Sequence, residues 1–529
     1  MRKFSSYGPV DLDLHFYVPR TALIDAAWGQ LVGDNPIKGG HYITVWAPRQ
    51  CGKSWVMIQT LWRLMKDNRF DVLKLNLEHL KMETDPEKVM REIARILIKR
   101  LDLDCPPVAD FTAFEQLFHR DILNRPLILI MDEFDALCDA AISGLVGVFR
   151  NVYNLRNDDP RPSSEKDYLL HSVALIGVRS VLGVENAKGS PFNVQRSLHI
   201  PRLTADEVRE MFDWYQRESG QMVAPAVVER VYRETRGQPG LVSWFGELLT
   251  EGYDGYVPAH DRPIDATDFD RVWAAALQVL PNNNVLNIIS KARQEPYKKL
   301  VLELFRTDKK LPFRFDDPQI NFLYMNGVVD QEAEQNQYYL RFPCPFVQKR
   351  LFNYFAFELF AYMGQVHEPF ADISDTISAT KLNIRNLLRR YQTHLQNNRE
   401  WMLKDAPRRS DMRVYEAVFH FNLYAYLQNF FESYPSDIWP EFPTGNGKLD
   451  LMIRHGGKMY ALELKSYKDA PAYQQALAQA GRYGNQLGLA RIYLVMFVET
   501  IPDAARQTYE VDHIDNGVTV SPVFVATGA

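Results

Sequence analysis

The stretch "HYITVWAPRQCGKSWVMIQTLWRLMKD", residues 41 to 67, constrains the fold more tightly than any other part of this 529-residue chain. Its opening, "HYITVWA", is β-branched and aromatic and reads as a buried strand. From Lys53 onward, apolar residues recur at helical spacing through Val56, Ile58, Leu61, Leu64 and Met65. Gly52, Lys53 and Ser54 lie at the junction. A strand that enters and a helix that leaves are the context a phosphate-binding loop needs, and the segment fits G-x-x-x-x-G-K-[ST] everywhere except Ala47, which stands at the first glycine. Pro48, Arg49, Gln50, Cys51 and Gly52 would line the loop. Its backbone N–H groups and the positive end of the helix would meet the phosphates of ATP. Lys53 would reach the β- and γ-phosphates, and Ser54 would ligate Mg2+.

A second segment supports the first. "RPLILIMDEFDAL", residues 125 to 137, is an unbroken apolar run ending in Asp132 and Glu133. It reads as a parallel strand buried on both faces with carboxylates at its C-terminal tip, where α/β sheets bind ligands. Asp132 suits Mg2+ coordination. Glu133 suits polarisation of the attacking water, because phosphoryl transfer asks for positioning and charge stabilisation more than covalent chemistry.

Composition narrows the class. The chain is 46% hydrophobic and 24% charged, which excludes disordered and fibrous proteins. With a formal net charge of -5, a nucleic-acid partner would have to be held by local basic patches. Cys51, Cys105, Cys138 and Cys344 form no C-x-x-C pair, which argues against zinc ribbons and a disulfide framework. The N-terminal "MRKFSSYGPVDLDL" turns acidic before an apolar signal region forms, and "LFNYFAFELFAYM" at 351 to 363 is too short to span a bilayer. A cytoplasmic protein with no membrane partner is expected.

Residues 15 to 200 resemble AAA-like ATPases whose loop reads "APRQ-x-GK-[ST]", a variant in which the position of Ala47 is often not glycine. "FYVPRTALIDAAW" at 16 to 28, "LLHSVALIGVRS" at 169 to 180 and "GSPFNVQRSLHIPRLTADEVREMF" at 189 to 212 fit the lead-in, the sensor strand and the passage into a helical lid. "RGQPGLV" at 236 to 242 resembles a Gly-x-Pro element of that lid. The sensor position holds Arg179 or Ser180 where many relatives have Asn or Thr. Arg150, Arg156 and Arg161 are the candidates for an arginine finger, each also readable as a solvated arginine.

Further on, "EPYKKLVLELF" and "DPQINFLYMNG" read as helices and "VVDQEAEQNQYYLRF" as a hairpin, an order that resembles a winged helix, a module for nucleic acid or for a protein partner. Lys298, Lys299, Arg306, Lys309, Lys310 and Arg314 make it basic. Residues 380 to 413 are helical with an Arg/Lys excess that includes Arg389, Arg390, Arg408 and Arg409. Either basic stretch would guide nucleic acid or be a solvated face.

"GKLDLMIRHGGKMYALELKSY", residues 447 to 467, reads as two strands around Gly456-Gly457. Strand alternation puts Glu463 and Lys465 on one side and Leu462 and Leu464 toward the core, with Asp450 on the partner strand. Two carboxylates able to hold Mg2+ beside a lysine are equipment for phosphodiester hydrolysis, and a structural ion pair is the other reading. The stretch resembles the PD-(D/E)XK nuclease superfamily, with Leu449 in place of the proline. That resemblance implies Asp450 and Glu463 as ligands of Mg2+ or Mn2+, Lys465 and Gln479 as catalytic, and places Gln475 and Tyr483 beside Gln479 on one helix face. Glu416 sits where many members carry a further acid.

The expected architecture is therefore α/β and multidomain: an AAA-like P-loop core over 1–200, a helical lid over 201–280, a winged-helix-like domain over 281–360, a basic helical connector over 361–409 and a PD-(D/E)XK-like domain over 410–529. The expected function is ATP binding and hydrolysis coupled to a metal-dependent nuclease, with DNA the expected nucleic acid, a homo-oligomer compatible, and defence or mobile-element biology as its setting. The rival is a nucleotide-controlled switch whose C-terminal domain binds a partner without cutting.

Overall fold

Five strands build the first sheet: β1 (Tyr42–Trp46), β2 (Asp71–Asn76), β3 (Leu127–Asp132), β4 (Leu170–Gly177) and β5 (Gln195–His199). Their order is β2-β3-β4-β1-β5 and every neighbouring pair is parallel. The computed structural model describes residues 1–8, 10–177, 195–251, 260–306, 310–360, 366, 372–403, 416–432, 434–443 and 448–528. Parallel strands need helical crossovers, which cover both faces of the sheet. On one face Leu129 and Met131 pack with Ile93 and Phe149; on the other Ile128 and Ile130 pack with Leu31 and Met57. Alternate residues of β3 thus serve two cores, which is why its sequence is apolar without a break.

Two compact units result, one of residues 1–297 and 311–347, the other of residues 298–310 and 348–529. In the first, the sheet is followed by the helices Ala205–Ser219, Pro225–Thr235, Pro239–Thr250 and Ala266–Gln278. Thr204 and Glu207 close a reciprocal capping box at the start of this set. Phe245, Phe269 and Trp273 stack at its centre. Arg179, Ser180 and residues 189–194 of the expected sensor and lid passage lie outside the described residues.

The division differs from the single middle domain expected over 281–360. A hairpin of β6 (Asp330–Glu334) and β7 (Gln337–Arg341) forms, but it belongs to the first unit, where Asp330 is ion-paired to Arg202 at 3.0 Å. Residues Lys298–Arg306 of the helix Tyr297–Arg306 belong to the second unit, because Phe305 packs on Phe352 and Phe421. Lys298 is paired there to Glu358 at 2.8 Å. Lys309 and the side chain of Arg306 lie outside the described residues.

The second unit holds a six-stranded sheet of order β12-β13-β11-β10-β9-β8. Its strands are β8 (Ser436–Pro443), β9 (Lys448–His455), β10 (Lys458–Ser466), β11 (Arg491–Val498), β12 (His513–Asp515) and β13 (Val518–Ala526). The pairs β10–β11 and β11–β13 are parallel and the other three are antiparallel. Tyr473, Leu477 and Ala480 of the helix Ala470–Gln486 pack on Ala461, Leu494 and Met496. Phe419, on the helix Glu416–Phe430, stacks on Phe497.

The helix Ile384–Met402 was expected as part of a basic connector, and here the structure differs. Leu387, Leu388, Tyr391 and Leu395 are fully buried, an apolar stripe masked in sequence by the surrounding arginines. Those arginines are engaged within the unit. Arg385 pairs with Asp512 at 2.7 Å, Arg389 with Glu510, and Arg390 with Asp375 at 2.7 Å. Arg389 and Arg390 are therefore not a free phosphate-binding patch, while Arg408 and Arg409 lie outside the described residues. The strand β12 covers Val518–Val520 of β13, and beyond it side chains take over the edge. Phe524 N donates to Glu510 Oε1 at 2.7 Å, Ala526 N donates to Gln392 Oε1 at 2.9 Å, and Phe524 O accepts from Arg389 at 2.6 Å.

Arg156, one of the arginine-finger candidates, has a structural role instead. It is 5% exposed and donates to Ser163 Oγ at 2.7 Å and to the Tyr168 carbonyl. Ser163 Oγ, filled on that side, gives its own proton to His171 Nδ1 at 2.9 Å, and His171 Nε2–H donates to Val32 O at 3.0 Å. Every member of this buried relay is satisfied with a neutral imidazole. Arg161 is likewise held, by Asp159 and Asp167, each at 2.7 Å.

Burial pushes the His171 pKa from 6.5 down to about 3. The unfolded chain takes up this proton near pH 6.5 while the folded chain refuses it, so stability rises with pH across that window and is lost as pH falls. Each pH unit is worth up to about 1.4 kcal/mol. Hydrogen exchange of the β4 amides, compared between wild type and His171→Gln, is expected to show an extra loss of about 2 kcal/mol between pH 6.5 and 5.0 in wild type. Parallel pH profiles for the two proteins would remove this role for His171.

Candidate functional site

The loop between β1 and the helix Lys53–Leu64 makes two left-handed turns, at Gln50 (φ 56°) and Gly52 (φ 87°). Glycine accepts such a φ without strain; glutamine has to be held there. Gln50 O accepts from Gly240 N at 3.1 Å and from Gln238 Nε2 at 3.4 Å, and Gln238 Nε2 also reaches Arg49 O at 3.2 Å. The "RGQPG" segment therefore clamps the loop from the lid side. A side chain at Gly240 would disturb this clamp, since a Cβ would fall 2.7 Å from Gln50 Cβ. Ala47 is fully buried in the core and is not among the residues with positive φ, so no glycine is needed at that position.

Lys53 is 8% exposed and donates through Nζ to Ala47 O at 2.7 Å and Pro48 O at 3.1 Å. Burial pushes its pKa down, against the pull of Cys51, Asp135, Glu133 and Asp132. Burial raises the Cys51 thiol. Arg49 and Gln50 are exposed, and Pro48, Gly52 and Ser54 are half-buried. Ser54 Oγ donates to Asp132 Oδ1 at 3.1 Å, joining the start of the helix to the tip of β3. The same Oδ1 accepts from Glu133 N at 3.1 Å, and Asp132 Oδ2 is ion-paired to Lys74 Nζ at 2.7 Å. Ser54 and Asp132 are hard oxygen donors brought together, the donor chemistry that magnesium takes. Glu133 is half-buried at φ 55°. Burial, then Asp135 and Asp132, push its pKa above the ordinary glutamate value, while Lys53 and Arg49 oppose them.

Lys74 and Gln238 were missed in the sequence. Lys74 had one signal, a lone cation in the mostly apolar run "DVLKLN".

In the second unit, Asp450 lies one step beyond the last ladder pair of β9 and β10, Leu451 with Leu462, which puts it opposite Glu463. Asp450 Oδ2 accepts from Leu464 N at 2.6 Å, and its carbonyl is bonded to His420 Nε2 at 3.0 Å. Glu463 is 1% exposed and ion-paired to Lys465 Nζ at 2.8 Å. The face these two share is not an open one: with Leu494 and Met496 as their ladder partners, they lie on the side covered by the helix Ala470–Gln486. Gln479, on that helix, donates to Tyr483 Oη at 3.0 Å. Asp450, Glu463 and Lys465 thus meet at one end of the β9–β10 ladder. The side chain of Glu416 lies outside the described residues. Among the described residues there is no group of three or more His, Cys, Asp and Glu side chains able to hold a metal, and no helix long and apolar enough to cross a membrane.

Three solved structures illustrate what the chain is similar to. A Walker-type ATPase of Pyrococcus abyssi is 15% identical, with 66% of this chain and 99% of that chain covered at a TM-score of 0.42. The Aeropyrum pernix ORC1 protein in complex with DNA is 16% identical, with coverages of 64% and 93% and a TM-score of 0.34. The Thermotoga maritima RuvB Holliday junction branch migration motor is 12% identical, with coverages of 63% and 95% and a TM-score of 0.33. No curated protein matches. Residues 5–250 match the family model described as an AAA-like domain.

Proposed function

We propose that the chain binds and hydrolyses ATP in its first unit and that its second unit is a PD-(D/E)XK-type nuclease acting on nucleic acid, with DNA the expected substrate. The observation that carries the ATPase reading is the 3.1 Å bond between Ser54 and Asp132, which joins the residues expected to share one Mg2+. Lys53 exchanges its carbonyl partners for the β- and γ-phosphate oxygens when nucleotide enters. The backbone N–H groups of 49–52 hold the other phosphate oxygens, and Glu133 holds and polarises the attacking water. Bound magnesium neutralises phosphate charge.

Lys53→Ala is expected to lose ATP binding. Glu133→Gln is expected to keep binding while kcat falls by about 10²- to 10⁴-fold, the usual worth of a positioned base. Because Glu133 acts as the carboxylate and its pKa is raised in the free protein, kcat/KM in wild type should rise with pH through a midpoint above the ordinary glutamate value; the remaining turnover of Glu133→Gln should lack that step. Equal turnover in wild type and both variants would refute the assignment.

For the second unit, Asp450 and Glu463 are proposed as oxygen ligands of Mg2+ or Mn2+, Lys465 as the charge beside the scissile phosphate, and Gln479 as a group that positions the substrate. Bound metal stabilises the developing charge on phosphate. A second reading, the nucleotide-controlled switch with a binding-only C-terminal unit, is favoured by the buried Glu463–Lys465 pair, which has the geometry of a structural ion pair. Cleavage of plasmid DNA and of RNA with each metal separates the two. The nuclease reading expects Asp450→Asn and Glu463→Gln to lose metal binding and cleavage together, and Lys465→Met to keep the metal and lose cleavage. Full cleavage by Asp450→Asn excludes this centre. A wild type inert with both metals, whose melting temperature falls in Lys465→Met, favours the switch.

A further inference from the structure

The cation beside Asp132 has no part in the nucleotide reading, yet the fold goes to some length to put it there. Lys74 lies in the middle of β2, in register with Ile130, and Asn76 is the ladder partner of Asp132. Residues two apart share a strand face, so Lys74 rises on the side of the sheet that carries the helix Lys53–Leu64. Its Nζ is 2.7 Å from Asp132 Oδ2, with the Lys74 side chain 17% exposed and that of Asp132 4% exposed. The other oxygen, Oδ1, receives Ser54 Oγ and Glu133 N, each at 3.1 Å. One carboxylate therefore gathers a metal-ligand hydroxyl, the amide of the residue that holds water, and a fixed ammonium.

We propose that Lys74 is a positioning residue that sets the divalent-metal affinity of the nucleotide site. It is the resident counter-ion of Asp132, and metal must bind against it. This rests on the assignment of Ser54 and Asp132 as the magnesium-holding pair. Without metal, a nearly buried carboxylate needs a cation to remain charged and in place, and Lys74 supplies it. The ammonium keeps Asp132 oriented toward Ser54, so the half-site is built before nucleotide arrives. A divalent ion held by Ser54 and Asp132 then has a positive charge within a few ångströms, and repulsion at that range in a partly buried site is strong. Lys74 thus trades metal affinity for a preformed site, making metal loading weaker and more easily reversed than Ser54 and Asp132 alone would allow.

The test measures metal binding instead of turnover. Mn2+ is titrated by electron paramagnetic resonance into protein saturated with AMP-PNP, for wild type, Lys74→Met and Lys74→Arg. Affinity for AMP-PNP in EDTA is measured alongside. The neutral Lys74→Met is expected to bind Mn2+ at least about tenfold more tightly, equivalent to about 1.4 kcal/mol, and Lys74→Arg to stay near wild type. If Lys74→Met does not fold, Lys74→Gln, neutral but still able to donate to Asp132, carries the same expectation. Unchanged Mn2+ affinity in the neutral variant overturns the proposal while leaving the nucleotide reading intact. So does a large loss of AMP-PNP affinity in EDTA with no gain in Mn2+ affinity, which would make Lys74 a phosphate ligand. A wild type that binds neither AMP-PNP nor Mn2+ overturns the nucleotide reading and this proposal with it.

Discussion

A carboxylate that is 3% exposed at the tip of a central strand dictates much of the first unit. Asp132 is buried too deeply for water to satisfy its oxygens, so compensation comes from the protein, and removing one partner of a buried charge typically costs about 3–5 kcal/mol. Its compensation comes from three directions: the helix that follows β1, the neighbouring strand β2, and the backbone of the next residue. Each partner is correctly placed only if β2 lies beside β3 in its observed register and the loop after β1 delivers Ser54 to the same end of the sheet. The clamp by Gln238 and Gly240 holds the loop that delivers it. Satisfying one buried charge and building the loop proposed to hold phosphate are thus the same structural problem.

The second unit faces a similar problem at Glu463 and meets it differently. There the compensating cation, Lys465, comes from two residues along the same strand, and Asp450 spends one oxygen on a backbone N–H. A same-strand pair is cheap in sequence and depends on no partner strand, whereas the Asp132 cluster is assembled from distant segments. The difference matters for function, since a local pair serves equally as catalytic equipment and as structural neutralisation.

Local structure was largely legible in the sequence. The strand, loop and helix around Lys53 could be read because a β-branched and aromatic run gives way at a glycine to apolar residues at helical spacing, and β3 because a strand serving two cores has no polar position. The tolerance of Ala47 followed from resemblance, and the backbone gives its physical reason: that position adopts no left-handed conformation. What could not be read was which charges meet. The arginines at 385, 389 and 390 look like an electrostatic patch when counted along the chain, but their acidic partners at 375, 510 and 512 lie from 15 to more than a hundred residues away. Arg156 was misread for the same reason, since its partners, Ser163 and the Tyr168 carbonyl, become visible only when a loop folds back on β4. The division of 281–360 between two units was also illegible, because periodicity marks an apolar face without naming the surface it will cover.

The edge of β13 carries a kinetic consequence. Its backbone is closed by side chains from residues as far as 134 to 135 positions earlier, Gln392 to Ala526 and Arg389 to Phe524. In most sheets an outer strand can peel away alone and return, because what it loses is a ladder to one neighbour. Here peeling would break the bonds that Arg389, Glu510 and Gln392 make to Phe524 and Ala526 together, and two of these residues sit on a helix whose other face is fully buried. Opening of this edge is therefore a cooperative event of the whole helix-and-sheet layer, and closure must await contacts of very long sequence separation, which slows folding.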